Sequence, residues 1–396
     1  MVERRGGGAA AFWTLGAVFL LAMSFTTIPT PLYAAFERQD GFPSWVVTVV
    51  FAAYAVGVAV ALVLVGHLGD VLGRRPVAVA AIAAELVAAV LFLAAPQLPG
   101  LLVARFVSGV GIGALTASAT AQLSELHDRW RGPGALPGAV ATVANIGGLG
   151  LGPLVAGVLA VAAPAPLVLP FVVYVVALVA AGVAALLVPE TVDRPDPLPP
   201  YRPQRVAVAP EARGGFLAAG AAVFAGFSVF GLFGAVTPTV MARIFGVPSP
   251  LAIGAVTWSV FTAGALAQLA FLKASLRASL ISAMVAIAAG LAALGVAPML
   301  RALPLFVIGG IVAGAGVGLV FRACLGLVGS MAPEERRGET LAGLFLLAYL
   351  GLIVPVLAVG GALAALPPVP VLGVFAVAVA ALVVVAGVRL ERRAAG

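Results

Sequence analysis

The chain has 396 residues, of which 63% are hydrophobic and only 9% are charged, and its mean hydropathy is +1.18. Soluble proteins carry about 25% charged residues, and a soluble fold of this length has too little interior to hide so much apolar surface. The single cysteine, Cys324, excludes a disulfide framework. Composition therefore predicts that lipid is the solvent for most of this chain.

Twelve stretches are long and apolar enough to cross the hydrocarbon core, which takes about 20 helical residues. They are residues 12–33, 45–65, 76–95, 100–123, 136–161, 166–188, 215–239, 250–272, 278–298, 304–328, 339–361 and 368–388. The first stretch is too long for the core of a signal peptide and lacks a small-residue cleavage site, so we interpret it as a retained anchor. The predicted fold class is an all-α polytopic membrane protein with twelve transmembrane helices.

The basic residues predict the orientation. If the N-terminus is cytoplasmic, only Arg38, Arg243 and Arg301 fall in outer loops, Arg105 and Arg322 lie within spans, and all other basic residues face inward. Cytoplasmic loops are enriched in Lys and Arg, so this bias supports two cytoplasmic termini and an even number of spans. It also explains the pI near 10.5 without a nucleic-acid partner.

The chain has the pattern of an internal duplication. Residues 189–214 hold seven prolines and eight charged residues and are predicted to form a cytoplasmic linker. Six spans lie on each side, in 1–188 and 215–396. GFPS at 41–44 recurs as GVPS at 246–249, and GVGIG at 109–113 recurs as GAGVG at 314–318, both at an offset of 205; TPL at 30–32 recurs as TPT at 237–239, at 207. The sequence therefore predicts two pseudo-symmetric six-helix bundles.

The loop between the second and third spans reads GHLGDVLGRR, residues 66–75. Gly66 and Gly73 permit tight turns, Asp70 supplies an anion, and Arg74 and Arg75 are basic anchors. The loop resembles the cytoplasmic signature of the major facilitator superfamily of transporters, except that Val71 replaces the usual basic residue.

The resemblance implies the major facilitator fold, with a substrate site between the two bundles. It also implies that Asp70 meets the positive N-terminus of the eleventh span, near residues 338–341, and closes the cytoplasmic side. A plain solvated turn is the alternative.

The fourth span contains LLVARFVSGVGIG, residues 101–113, which resembles the Arg-and-glycine motif of the same family. The resemblance places Arg105 on the cavity side with a role in proton coupling; a snorkelling anchor is the alternative. Gly109 and Gly113, four residues apart, form a small-residue face for close helix packing.

The fifth span contains GGLGLGPLVAG, residues 147–157, which resembles the signature of the antiporter branches. Pro153 frees a backbone carbonyl and bends the helix. The glycines at positions 148, 152 and 157 let neighbouring backbones approach. The resemblance links this bend to the rocking of the two halves; the alternative is ordinary Gly and Pro enrichment of membrane helices. Gly148, Gly152, Pro153 and Gly157 are the candidate bending residues.

Glu85 is the only acidic residue deep in any predicted span. An intramembrane carboxylate is a functional candidate because hydrocarbon disfavours its charged form, which suits reversible proton binding. A neutral acid that bonds to a neighbouring helix is the alternative.

Several residues are weaker candidates for the cavity, with helix packing, interfacial anchoring or snorkelling as alternatives: Tyr33, Tyr54, Asn145, Trp258, Gln268 and Arg322. Pro29, Pro31 and Pro238 either break the first and seventh spans near the outer gate or simply end them.

The predicted function is secondary active transport by alternating access, most favourably proton-coupled efflux of amphipathic or drug-like compounds, because so few polar side chains lie in the spans. Nutrient uptake by symport or uniport is the alternative. The predicted partners are the lipid bilayer, a small-molecule substrate and protons, with no cofactor and no metal, in a monomer. A membrane-embedded enzyme or a non-transporting sensor is less favoured, because no metal-ligand or nucleophile cluster and no output domain is visible. The Arg-, Ala- and Gly-rich composition favours a bacterial inner membrane.

Overall fold

The computed structural model describes residues 3–162, 164–204, 208–332 and 337–395. Every regular element in these ranges is helical, and twelve helices are long and apolar enough to span a membrane. We number them α1 (Gly8–Asp40), α2 (Val46–Leu64), α3 (Arg74–Ala94), α4 (Leu98–Arg131), α5 (Leu136–Ala162), α6 (Leu169–Leu187), α7 (Pro210–Arg243), α8 (Pro250–Ala270), α9 (Leu276–Leu300), α10 (Leu303–Met331), α11 (Arg337–Ala365) and α12 (Pro368–Leu390).

The all-α fold with twelve spanning helices is confirmed. The largest differences from the predicted spans are at polar ends: α1 continues to Asp40 and α4 continues to Arg131. Hydropathy finds only the part of a helix that lies in hydrocarbon, whereas the helix ends where the backbone changes. Gly41 and Gly132, both at positive φ, follow these two helices.

Three helices are interrupted by non-α turns. In α1, an irregular turn and a 3₁₀ turn at Thr30–Leu32 separate an α-helix ending at Phe25 from one beginning at Tyr33. Both α5 and α7 contain a π-helical turn, Val143–Gly147 and Leu232–Val236. Such turns leave backbone groups without their usual partners and concentrate at functional sites. The prolines near residue 30 and at 238 thus interrupt α1 and α7 instead of ending them.

The two sets of six helices pack in the same way. In α1–α6, the first half, α2 and α3 pack on α4; in α7–α12, the second half, α8 and α9 pack on α10. Across the halves, α5 packs on α8 and α2 on α11. Glycines make the contact between α2 and α4 close. A Cβ added at Gly109 would lie 2.1 Å from the Tyr54 carbonyl oxygen, and one added at Gly113 would lie 2.6 Å from the Ala61 Cβ. These two positions bring α4 onto the α2 backbone.

The segment between the halves runs along one end of the bundle, which we call the linker side. There the Gln204 amide N–H donates to the Val63 carbonyl at 2.8 Å, and the Tyr201 hydroxyl donates to the Leu64 carbonyl at 3.0 Å. These bonds satisfy two of the carbonyls that the end of α2 leaves unpaired. The linker therefore holds the end of α2 next to the 66–75 loop.

Candidate functional site in the first half

The Arg105 side chain is enclosed by α1, α2 and α4 and is only 1% exposed. Its Nη1 donates a short hydrogen bond to the Thr26 carbonyl. That carbonyl is free because α1 is broken: the Thr30 N–H, its donor in a regular helix, donates to the Thr27 carbonyl at 3.1 Å. The interruption of α1 thus creates the acceptor that holds Arg105.

Two aromatic rings of α2 cover the same guanidinium. The Arg105 Cζ lies 4.6 Å from the Tyr54 ring centroid and 5.6 Å from the Phe51 ring centroid, both in the range of a cation–π interaction. None of the ion pairs among the described residues includes Arg105. Carbonyl and ring contacts therefore hold this buried cation, and no carboxylate of the described residues lies within ion-pair distance of it.

Glu85 is fully buried between α3 and α4. Its Oε2 accepts a hydrogen bond from the Ser108 hydroxyl at 2.9 Å, and Ser108 lies one turn after Arg105. The side chain fits because α4 has a glycine beside it: a Cβ added at Gly111 would lie 3.0 Å from Glu85 Oε1. The sequence prediction did not include Gly111 or Ser108, whose importance depends on this contact between helices.

Three polar atoms in this region are buried without a hydrogen-bond partner: Glu85 Oε1, Arg105 Nε and the Tyr33 hydroxyl. Buried polar atoms without partners are uncommon in native proteins and call for an explanation such as bound water or a functional role. We name Glu85, Arg105, Ser108, Tyr33 and Tyr54 the polar cluster of the first half. This cluster has the capacity to bind a proton, a water molecule or a polar group of a substrate.

The α5 glycines and Pro153 lie at two helix contacts. Cβ atoms added at Gly148 and Gly152 would lie 2.8 Å from the Leu20 carbonyl oxygen and 1.9 Å from the Ser24 carbonyl oxygen of α1. One added at Gly157 would lie 2.6 Å from the Pro250 carbonyl oxygen of α8, in the other half. The α5 helix therefore packs closely against both halves.

Pro153 frees one carbonyl of α5. It has no N–H to donate to the Leu149 carbonyl four residues earlier, and the Thr27 hydroxyl of α1 donates to that carbonyl instead, at 2.9 Å. The Pro153 carbonyl itself faces α8, where a Cβ added at Gly254 would lie 2.2 Å away. Pro153 thus stands at the seam between the halves.

On the linker side, the 66–75 loop belongs to a network of charges. The Arg74 guanidinium pairs with Asp70 at 2.5 Å and with Glu125 of α4 at 3.1 Å. The ion pair of Asp70 is therefore within its own loop, and its contact with residues 338–341 stays a prediction. Nearby, a Cβ added at Gly66 would lie 3.0 Å from Gln204 Oε1, and one at Gly338 would lie 3.8 Å from Gln204 Nε2. The linker, through Gln204, lies between this loop and the start of α11.

Glu190, just after α6, caps the start of α3. Its carboxylate accepts hydrogen bonds from the backbone N–H groups of Arg74, Arg75, Thr191 and Val192. Burial raises the pKa of Glu190, but these four donors outweigh it and hold the pKa below its ordinary value. Gly73, at φ 102°, leaves the space for this carboxylate, because a Cβ there would lie 2.4 Å from Glu190 Oε2. The Pro-Glu-Thr sequence at 189–191 was the only signal for this contact.

The candidate cavity residues lie in different surroundings. Tyr33, Tyr54 and Gln268 are buried, and the Gln268 Nε2 has no partner. Asn145 is half-buried in the π-helical turn of α5, and Trp258 is 39% exposed. The half-buried Arg322 donates to the Leu272 carbonyl at 2.7 Å. The structure thus brings Tyr33 and Tyr54 to Arg105 and leaves Arg322 near the end of α8.

Comparisons with known proteins identify the family. The sequence model of the Major Facilitator Superfamily matches residues 12–271 of this chain. An "uncharacterized transporter" of Rickettsia felis is 27% identical over 112 residues, covering 28% of each protein. An "uncharacterized MFS-type transporter" of Mycobacterium tuberculosis is 34% identical over 144 residues, covering 35% of this chain and 20% of that protein. The chain therefore spans well under a third of the length of these curated relatives.

Two solved structures share the fold. The human organic anion transporter MFSD10 superposes with a TM-score of 0.69 at 16% identity, covering 97% of this chain and 99% of that one. A bacterial homologue of the human lysosomal transporter Spinster, solved inward-facing and unoccupied, superposes with a TM-score of 0.67 at 14% identity, covering 98% and 96%. At these identities the likeness concerns the fold alone. Together with the family match over residues 12–271, it shows that this chain belongs to the Major Facilitator Superfamily.

Proposed function

We propose that the protein is a secondary active transporter that exports amphipathic compounds in exchange for protons, by alternating access of a site between its halves. The observation that carries this proposal is the polar cluster of the first half, in which a buried carboxylate and a buried cation lie near each other and, among the described residues, neither is in an ion pair. Ionisable groups inside a membrane are costly, and they mark ion and substrate pathways. No cofactor is needed, because the proton gradient supplies the energy.

The orientation of the proposal follows from charge. The loops on the linker side carry Arg74, Arg75, Arg129 and Arg131, whereas the loops at the opposite end carry few basic residues. This bias supports a cytoplasmic linker side with both termini cytoplasmic, which is the orientation that we propose, in a bacterial inner membrane. In this orientation the described structure is closed toward the outside, because α1 and α2 contact α7 and α11 there.

The closure toward the outside is made of small-residue and hydroxyl contacts. Arg243, at the end of α7, donates to the Ser44 hydroxyl at 2.8 Å, and the Ser44 hydroxyl donates to the Glu37 carboxylate. Between α2 and α11, a Cβ added at Gly360 would lie 2.1 Å from the Thr48 hydroxyl oxygen. Exchange to the outward-open state requires these contacts to separate while those on the linker side form.

The proton has a defined place in this cycle. After substrate has been released outside, a proton from outside binds Glu85. The neutral Glu85 carboxyl then keeps its hydrogen bond with Ser108, and the same proton later leaves to the cytoplasm. Arg105 lies one turn before Ser108 on α4. It responds to the charge of Glu85 on α3 and carries the change to the Thr26 carbonyl of α1. Proton binding and the break in α1 are thereby coupled through one helix.

An apolar surface at the seam of the halves supports the proposed substrate class. A groove on the linker side between α1, α5 and α8 is lined by Trp13, Leu20, Val143 and Leu269. Such a surface favours amphipathic compounds that partition into lipid over sugars, which need many hydrogen-bonding side chains. Nutrient symport or uniport is the alternative candidate, because the same fold and polar cluster serve either direction.

The test has two steps. First, cells with and without overexpression are compared in a broad growth-inhibition screen, and efflux predicts resistance to lipophilic cations and other amphipathic inhibitors. Second, a compound from the screen is followed in inverted membrane vesicles with an imposed pH gradient. Acidic vesicle lumen should accelerate uptake of the compound into the vesicles. Acceleration only when protons and compound enter together would instead establish symport.

A further inference from the structure

Two threonines of α1 donate their hydroxyls to carbonyls that prolines leave free on other helices. Thr27 donates to the Leu149 carbonyl of α5 at 2.9 Å, and Thr30 donates to the Gly234 carbonyl of α7 at 3.0 Å. Leu149 stands four residues before Pro153, and Gly234 stands four residues before Pro238. Because proline has no N–H, neither carbonyl has its regular helical donor.

The two bonds differ in what they join. The Thr27 bond lies within the first half, whereas the Thr30 bond crosses from the first half to the second. Thr30 is 1% exposed. The space at Gly234 is filled from α2: an added Cβ would lie 2.7 Å from Cε2 of Phe51, the ring that also covers Arg105. The cross-half bond therefore lies directly beside the polar cluster.

The same turn of α1 binds Arg105. The guanidinium holds the Thr26 carbonyl, and Thr30 follows four residues later, after the irregular turn. A displacement of Arg105 along α4 therefore acts on a short, broken segment whose far end is bonded to α7.

We propose that the Thr30–Gly234 hydrogen bond is a latch that holds the side opposite the linker closed, whereas the Thr27–Leu149 bond lies within the first half and takes no part in the closure. Pro238 makes this latch reversible. The Gly234 carbonyl lacks its regular donor four residues on in α7, so Thr30 satisfies it in the closed state and water satisfies it when that side opens. The Gly234 carbonyl is hydrogen-bonded in both states. The latch therefore favours the closed state of this side by a small free energy and does not prevent opening.

The experiment measures opening directly in purified protein in nanodiscs. Cys324 is buried and is replaced first, by Cys324→Ala, so that one reporter remains. Thr48→Cys places that reporter in α2, at a position that is 3% exposed and lines the pocket between α2, α7 and α11. The rate at which a bulky hydrophilic maleimide labels this cysteine reports opening of that side.

Thr30→Val keeps the shape and removes the hydroxyl, and we expect it to raise the labelling rate about two- to tenfold, the effect of losing one net hydrogen bond. Thr27→Val is the matched control, with the same chemical change one turn away but within the first half, and it should label at the parent rate. Thr30→Ser restores the donor and should return the rate to the parent value. A Thr30→Val variant that labels at the parent rate, or a Thr27→Val variant that opens equally, overturns the latch.

Pro238→Ala provides an independent variant if Thr30→Val does not yield monodisperse protein. It supplies the N–H that α7 lacks, so the Gly234 carbonyl gains an internal donor and the latch weakens. Labelling should again be faster than in the parent, and an unchanged rate contradicts the latch. The inference rests on alternating access in the proposed function, but the assay uses neither substrate nor a proton gradient. Failure of proton coupling or of efflux would therefore leave its outcome unaffected.

Discussion

The two halves of the protein place different chemistry at equivalent positions. At the offset of 205, Glu85 and Ser108 correspond to Gly290 and Ala313. Both pairs are in contact: Glu85 accepts a hydrogen bond from Ser108, and a Cβ added at Gly290 would lie 2.5 Å from the Ala313 amide nitrogen. The same helix crossing thus holds an acid in the first half and bare backbone in the second.

The Arg105 position repeats the pattern. Its equivalent is Gly310, where an added Cβ would lie 2.5 Å from the Phe233 Cζ. At the offset of 207 that relates α1 to α7, Phe233 corresponds to Thr26, the residue whose carbonyl holds Arg105. In the first half the Arg105 guanidinium contacts the Thr26 carbonyl, and at the equivalent place in the second half the Phe233 ring packs on Gly310. At these positions the first half carries buried ionisable side chains, whereas the second half carries glycine, alanine and an aromatic ring.

The largest effect is expected at Arg105. Arg105→Met fills the same space without charge and should reduce transport roughly 100-fold, because it removes a charge-assisted hydrogen bond and two cation–π contacts. Arg105→Lys keeps the charge without the planar group and should be intermediate. Transport by reconstituted protein is the readout, with thermal unfolding as the control for folding. Full transport by the Met variant would show that the two halves do not differ in function at this position.

The next effect is expected at Glu85. Glu85→Gln keeps the shape and cannot titrate, so stimulation of transport by a pH gradient, expected to be about tenfold, should disappear. Glu211→Gln makes the same chemical change at an exposed position in the first turn of α7 and serves as the control. If Glu85→Gln retains pH-driven transport, the acid is structural, and the contrast with Gly290 concerns packing alone.

A smaller effect is expected at Glu190, outside the spans. Glu190→Gln should lower the free energy of unfolding by about 1 kcal/mol, as expected for loss of a helix cap. Because four N–H donors hold the pKa of this carboxyl below its ordinary value, its contribution is present above the ordinary carboxyl pKa and is lost as pH falls through the lowered value. Unfolding measured against pH should show this acid-side loss in the parent protein and not in the variant. Identical pH profiles would contradict the capping role.

The smallest effect is expected at Arg322. It donates to the Leu272 carbonyl near the end of α8, so Arg322→Gln should change the free energy of unfolding by less than about 0.5 kcal/mol and leave transport unchanged. A tenfold loss of transport would instead place this residue on the substrate pathway. That result would give the second half an ionisable role of its own.

The sequence alone predicts the helices well, because hydrophobic length is a local property. The twelve spans and the pattern of an internal repeat are readable in it, and the glycines at 109 and 113 lie at a close helix crossing. The contacts of the polar cluster are not readable, because they join distant residues. Thr26 and Arg105 are 79 residues apart. The Thr26 carbonyl is free to accept the hydrogen bond only because the regular part of α1 ends at Phe25. The prolines near residue 30 signalled an interruption but not which carbonyl it would free.

The linker side shows the same limit. The 66–75 loop is recognisable by its spacing, whereas its cap, Glu190, is 116 residues from Arg74 and carries only a short Pro-Glu-Thr signal. Physical reasoning from the sequence thus finds candidate side chains, and the structure supplies the partners that decide what each one does.

In the proposed transport cycle, a proton moves in one direction as substrate moves in the other. The most direct measurement is of luminal pH in proteoliposomes that are loaded with a compound from the growth screen and contain a trapped pH-sensitive dye. As the compound leaves, the account predicts acidification of the lumen in the parent protein and none with Glu85→Gln. Alkalinisation as the compound leaves, or exit with no change of luminal pH, would contradict it.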